Sequence, residues 1–497
     1  MLTASGDVAS ELVLRSQKGR IALAATVGAS AMASLDATVV NVALPHIARD
    51  LDADVTALQW VLTGYLLGLA SFILLAGALG DRIGRRRIFL IGTIWFAAAS
   101  LVCGIAPSIG VLIATRILQG VGGALLTPGS MAILQASFRQ SDRAVAVGAW
   151  SALGGVAGAI GPFVGGALVD GPGWRWVFLL NVPLSVVVVV CTRTAVPESR
   201  DQHAAGRLDG LGVGLSVVAL ASGTWALTEA GMRGWGDTGV VAALVVAIVA
   251  ASAFVAHVRR APDPLVPPAL FRNRTFTVVN LGTLLLYTGI GLTFFLVAYE
   301  LQVTAGWSAL EAGLALLPTT ALMLLLSARS GALAQRFGPR LQLTVGPLLT
   351  GAGMLLLTRV DADATWVTDV LPGSLVLGVG LVTYVAPLTA TVMAATDPDH
   401  VSTGSGVNNA VARTASLAGL AVIPVVAGLP AAVGAAEVTD AVNTALVIAA
   451  GLAITAGAVM SIGLSSRVRT SRTVRPVHCA VEGPPIQPDP HRCPLVA

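Results

Sequence analysis

Residues 77–86 read GALGDRIGRR, and residues 331–340 read GALAQRFGPR. Six of the ten positions agree at a fixed offset of 254 residues, and each stretch ends a long apolar run with a short basic loop. Loops repeated in the same topological sense predict two six-helix halves related by an axis along a membrane normal, the plan of a transporter with one central cavity. Short basic loops also converge because Lys and Arg are retained on the cytoplasmic side of a membrane, but that bias does not call for matched glycines.

Outward from these loops, fourteen apolar runs lie between residues 20 and 464, and a run of roughly twenty such residues crosses a bilayer core as one helix. Of 497 residues, 55% are hydrophobic and 11% charged, whereas a soluble domain carries roughly a quarter charged residues. An all-α integral membrane protein is therefore expected. With the N-terminus in the cytoplasm, 24 of the 30 Lys and Arg fall in cytoplasmic segments, four (Arg49, Arg175, Arg233 and Arg359) outside, and two (Arg116 and Arg413) within spans. That bias favours an even number of spans with both termini cytoplasmic. The expected order is a cytoplasmic segment 1–19, a six-helix half 20–196, a linker 197–274 carrying two inserted spans, a second six-helix half 275–464, and a disordered cytoplasmic tail 465–497. The polar first twenty residues lack the pattern of a removable signal peptide.

Composition excludes several functions. A net charge of +4, scattered between apolar runs, gives no basic face for nucleic acid. Cys103 and Cys191 sit in apolar runs and Cys479 and Cys493 in a Pro-rich tail, so no disulfide framework is implied. His478, Cys479, His491 and Cys493 match no zinc spacing. The six histidines are scattered, which argues against a membrane-embedded enzyme. A phosphate-binding loop needs a lysine after its glycines, and Lys18, the only lysine, is not in that setting. No cofactor, metal or nucleotide is expected, and an ion gradient remains as the energy source.

Asp36 is the one carboxylate well inside an apolar run. Such a group is costly in a membrane and marks function by default. Desolvation favours its neutral form, so it can load and release a proton. Asp36 lies nine residues from Pro45 and Arg116 nine residues from Pro107, the outer ends of their runs. Each is thus ~14 Å deep at 1.5 Å per helical residue. The two form a candidate proton-responsive pair; a permanent salt bridge that only orders the helices is the alternative. Polar groups inside spans that could line a substrate path are Asn41, Tyr65, Gln119, Tyr287, Tyr384, Asn408, Asn409 and Arg413. With so few charges, that path suits small lipophilic cargo.

Several stretches together resemble the fourteen-span drug:proton antiporter family of the major facilitator superfamily, over roughly Ser34 to Ile462. Gly77, Asp81, Arg82, Gly84, Arg85, Arg86 and Arg87 match that family's loop motif after the second span. The resemblance implies a gating loop in which Asp81 pairs with an arginine or a helix N-terminus and releases it as the halves rock. A plain stop-transfer cluster would explain the arginines but neither the acid nor the glycines. In the second copy Gln335 replaces the acid. LDATVVNVALP (35–45) resembles the span-1 motif and RILQGVGGALLTPGS (116–130) the span-4 motif.

In GAWSALGGVAGAIGPFVGG (148–166), Gly161, Pro162, Gly165 and Gly166 match the antiporter signature of span 5, with Ala157 where a glycine is usual. Gly154/Gly158 and Gly161/Gly165 are pairs that let another helix approach closely. WRWVFLLNVP (174–183) and VNNAVARTASLAG (407–419) are also family-like. The resemblance implies a monomeric exporter of small lipophilic compounds, exchanged for protons across the cytoplasmic membrane. An exporter of an endogenous metabolite, and a proton-coupled symporter that imports a small solute, share the same architecture.

Overall fold

The computed structural model describes residues 12–200, 209–262, 264, 266–396, 401–432 and 434–464; the tail cysteines and histidines lie outside the described residues. The described chain is helical: α1 (Gln17–Leu51), α2 (Val55–Ile83), α3 (Arg85–Gly104), α4 (Ile109–Ser137), α5 (Gln140–Asp170), α6 (Arg175–Leu179), α7 (Asn181–Ala195), α8 (Gly210–Arg233), α9 (Thr238–Val258), α10 (Arg274–Val303), α11 (Ala309–Ala315), α12 (Leu317–Phe337), α13 (Pro339–Leu356), α14 (Leu371–Ala394), α15 (Val401–Val426) and α16 (Ala435–Gly463). No strand occurs among the described residues beyond one isolated bridge between Leu12 and Phe138. Thirteen spans among the described residues are long and apolar enough to cross a membrane, with α6–α7 and the start of α11–α12 each serving as one. α5 is a single helix whose Ile160–Asp170 portion counts as a shorter apolar piece. Two expected spans are thus broken: the sixth between Leu179 and Asn181, and the tenth at Leu316, just before Pro318 at the start of α12. Proline lacks the amide that would continue the ladder.

Successive helices run up and down, so their turns gather at two ends. The Asp50 end holds the turns after α1, α3, α5 and α10; the Gly84 end holds those after α2, α4 and α12. The repeat read in the sequence is also a backbone repeat. Gly84 joins α2 to α3 with φ +127°, and Gly338 joins α12 to α13 with φ +85°, a region where a side chain is strained. Each glycine ends one helix and begins the next in a turn of one residue.

α1 packs on α5 and α7, α2 and α3 on α4, α10 on α15 and α16, and α13 on α14 and α16. Between these sets, α1 meets α10, α5 meets α11 and α12, and α2 meets α15. α8 and α9 pack chiefly on each other, and α8 alone leans on α2 and α15. The most apolar window of α9 is 11% buried against 72% for α2, which places α9 at the periphery and α2 at the centre. Exposed Ile248, Val249, Val186, Val187 and Leu325 give the outer faces the apolar surface that lipid requires.

Candidate functional site

Asp36 on α1 and Arg116 on α4 meet inside the helix packing, with Arg116 Nη1 2.5 Å from Asp36 Oδ2 and side chains 0% and 1% exposed. The second carboxylate oxygen accepts from Gln119 Nε2 at 2.8 Å and from Asn181 Nδ2 at 3.1 Å. Arg116 also donates to Gln119 Oε1 at 2.7 Å and, through Nε, to the Val61 carbonyl at 3.0 Å. Gln119 and Asn181 both donate to Ser100 Oγ, whose own proton goes to the Phe178 carbonyl.

The local sequence explains this convergence. Arg116 and Gln119, three residues apart, share one helix face. At Gly120 a Cβ would stand 2.1 Å from the Tyr65 carbonyl, so α2 and α4 touch backbone to backbone. That contact lets the Arg116 guanidinium lie 4.4 Å from the Tyr65 ring centre, with Phe178 at 5.6 Å. A desolvated cation over an aromatic face gains about 2 kcal/mol. Among the described residues every partner of the carboxylate is a donor. A buried ion pair seldom adds net stability over apolar packing.

Gln119, expected on the substrate path, instead belongs to this cluster: its amide is consumed by Asp36, Arg116 and Ser100. Asn181 was not singled out, yet it is the only amide between residues 174 and 196, and that was the available signal. Two further carboxylates lie close to the ends of their helices. Glu300 on α10 is buried and accepts from Thr439 Oγ1, and Glu229 on α8 accepts from Trp60 Nε1 at 3.2 Å. Glu300 escaped notice because its apolar run ends there, while the helix continues to Val303.

In the basic loop, Asp81 pairs with Arg85 at 2.7 Å one turn along. The acid that reaches the start of α3 is Glu198, which accepts from the Arg86 amide at 3.1 Å and lies 3.9 Å from Arg87. Arg86 itself donates to the Arg193 carbonyl at 3.0 Å. Gly77 lies inside α2 and so makes no turn, and a Cβ there would meet nothing within 4 Å; the turning glycine is Gly84, where a Cβ would strike Glu198. Arg82 is half-buried in the last turn of α2.

On α5, a Cβ at Gly161 would meet Thr38 Oγ1 at 1.9 Å and one at Gly165 would meet Val39 at 3.0 Å, both on α1. Gly166 faces the Leu310 Cα on α11 at 2.4 Å by the same measure, and the Pro162 carbonyl abuts Gly313 on α11. The signature therefore serves close approach to two different helices.

The remaining path candidates separate. Tyr384 is fully buried against Gly346 of α13. Asn41 donates to the Ala37 carbonyl of its own helix at 3.4 Å. Asn408 donates to Asn280 Oδ1 and Thr283 Oγ1 on α10, and Ser416 donates to the Tyr287 carbonyl. Asn409 and Arg413 are half-buried on α15, and the Arg413 charge acts on both Tyr65 and Tyr287. A hollow of about 650 Å³ between Trp307, Glu311, Pro318 and Trp366 lies at the Asp50 end and includes none of these residues. Among the described residues no cluster of His, Cys, Asp or Glu could hold a metal.

The Major Facilitator Superfamily pattern matches residues 26–420. The tetracenomycin C resistance and export protein of Streptomyces glaucescens is 34% identical over 417 residues, covering 83% of this chain and 76% of that protein. The methylenomycin A resistance protein of Streptomyces coelicolor is 37% identical over 400 residues, covering 80% and 83%. In fold, a bacterial homologue of the human lysosomal transporter Spinster superposes with a TM-score of 0.63 at 18% identity, covering 90% of this chain and 96% of that one. With the match spanning most of the chain and the helices arranged as described, this multi-pass membrane protein belongs to the Major Facilitator Superfamily.

Proposed function

We propose that the chain is a fourteen-span drug:proton antiporter that exports small lipophilic compounds across the cytoplasmic membrane, and that Asp36 and Arg116 are its proton-coupling pair. The single observation that carries the coupling role is the buried carboxylate whose partners among the described residues are an arginine and two amides. Protonating Asp36 removes the charge that holds Arg116 and frees two amide donors, so α1, α4 and α7 lose a common tie. Relatives named for resistance to tetracenomycin C, methylenomycin A and puromycin support the export direction.

In this reading α5 is the span that completes the count, α1–α7 and α10–α16 form the two halves, and α8 and α9 are the inserted pair. Arg82, Arg85, Arg86 and Arg87 then put the Gly84 end, and both termini, in the cytoplasm. The tight α5–α11 contact closes the outer side, and no extended packing of α4 or α5 on α13 or α14 exists among the described residues, so the cavity opens inward. The transporter acts as a monomer.

One charge moved across 100 mV supplies ~2.3 kcal/mol and one pH unit ~1.4 kcal/mol. One proton therefore sustains a cargo gradient of a few hundred-fold at ~1.4 kcal/mol per decade. A growth-inhibition panel of antibiotics in a pump-deficient host tests the reading. A shift for one or more lipophilic compounds, abolished by collapsing the proton gradient, is expected; no shift for any compound would overturn it.

A further inference from the structure

Arg413 stands near the middle of α15, twelve residues from one end and thirteen from the other. At 1.5 Å per residue that is ~20 Å from either end, the centre of a bilayer. Its Nε is buried without a hydrogen-bond partner among the described residues, and no ion pair there includes it. Arg116, the other guanidinium at membrane depth, is paired with Asp36. Among the described residues Arg413 has no comparable counter-charge.

Its charge reaches Tyr65 of α2 and Tyr287 of α10, and Asn409 lies one turn away on its own helix. α2 lies in one proposed half, α10 and α15 in the other, so Arg413 sits at their seam. A half-buried cation at that depth, its Nε buried without a partner and no anion paired to it among the described residues, is costly. A neutral cargo does nothing to relieve that cost and a cationic one adds to it.

We infer that Arg413 binds an anionic oxygen of the cargo, so that the exported compounds are lipophilic organic acids. The inference rests on the export reading and names the substrate class for it. A planar guanidinium receives a carboxylate through two parallel hydrogen bonds, which a lysine cannot reproduce. Tyr65 links this site to the coupling pair, because its ring carries the Arg116 guanidinium on one side while the Arg413 charge also acts on it. Exporting an anion for one proton moves a second charge down the inside-negative potential. Relative to a neutral cargo that adds a factor of roughly 50 to the attainable gradient per 100 mV.

The test uses the purified full-length chain with anthraquinone-2-carboxylic acid and its methyl ester, read by quenching of tryptophan fluorescence at neutral pH. The wild type is expected to bind the acid at least ten-fold more tightly than the ester. Arg413→Gln loses that preference, and Arg413→Lys keeps part of it. Size-exclusion profiles report whether each variant is folded, and Arg413→Lys serves if Arg413→Gln is not. Equal binding of acid and ester by the wild type, or a preference that survives in Arg413→Gln, would overturn the assignment. The same compounds are then followed in proteoliposomes under an imposed pH gradient. Acid preference in binding with no proton-driven movement of either compound would support the anion site and overturn the export reading. Proton-driven movement of both compounds without preference would do the reverse.

Discussion

Asp170, the last residue of α5, accepts the backbone amide of Leu310 at 2.8 Å and that of Ala309 at 3.3 Å, so one helix supplies the cap for the first turn of another 140 residues away. Ser308 and Glu311 complete that cap reciprocally. The amides that α11 leaves free at its start are thus satisfied partly across the seam between the proposed halves. In the proposed transport cycle this tie belongs to the state closed at the Asp50 end.

Asp170→Ala is accordingly expected to favour the outward-open state. A lost cap is worth about 1 kcal/mol, roughly a five-fold change in population. Spin labels at Val169→Cys and Leu314→Cys, in wild-type and Asp170→Ala backgrounds, read the distance between α5 and α11 by pulsed electron resonance. A longer component that grows in the variant agrees with the role, and an unchanged distribution removes it.

Gly166→Val places a branched side chain where a Cβ alone would stand 2.4 Å from the Leu310 Cα. The closed seam cannot form around it, and backbone atoms do not yield as a flexible side chain would. Export is expected to fall at least ten-fold, the equivalent of ~1.4 kcal/mol, with normal expression. Gly158→Ala, whose Cβ would lie 3.7 Å from Ser34, is the matched control and should stay close to wild type. Transport rates per unit of protein in vesicles compare the two.

Arg116→Ala leaves the Asp36 carboxylate buried without its cation, and breaking such a pair costs about 3–5 kcal/mol. A marked fall in melting temperature is expected in detergent. The double variant Asp36→Leu with Arg116→Met removes both charges and should recover much of that loss, while remaining uncoupled. Equal melting of the single and double variants would show that the pair is not the source of the cost.

Gly84→Ala combines a φ of +127° with a Cβ 2.6 Å from Glu198 Oε1. Backbone strain of this kind is worth about 1–3 kcal/mol. Lower yield of folded protein is expected, and adding Glu198→Ala should relieve the collision but not the strain. A yield unaffected by Gly84→Ala would mean the turn is not constrained.

Much of the architecture was legible because a bilayer imposes length and polarity on each span. The loop repeat at 77–86 and 331–340 returned as two one-residue glycine turns, and the equal depths assigned to Asp36 and Arg116 returned as a 2.5 Å pair. What escaped the sequence were groups whose meaning depends on a partner. Asn181 and Ser100 are ordinary until helix packing brings them to Asp36 and to each other. Gln119 looked like a cavity lining until its amide was seen to be consumed. Glu198 lies beyond its span and becomes a ligand of the α3 start only through the fold. Glu300 fell at the edge of an apolar run, where hydropathy cannot tell a surface acid from a buried one.

The most direct measurement is proton movement on addition of cargo to proteoliposomes holding wild-type chain or Asp36→Asn, followed with an enclosed pH-sensitive dye, alongside exchange of labelled for unlabelled cargo. The cargo is the compound with the largest shift in the resistance panel. If Asp36 carries the proton, the wild type releases or takes up protons with cargo, and Asp36→Asn exchanges cargo with no proton signal. Proton flux of wild-type size in Asp36→Asn would contradict the coupling role.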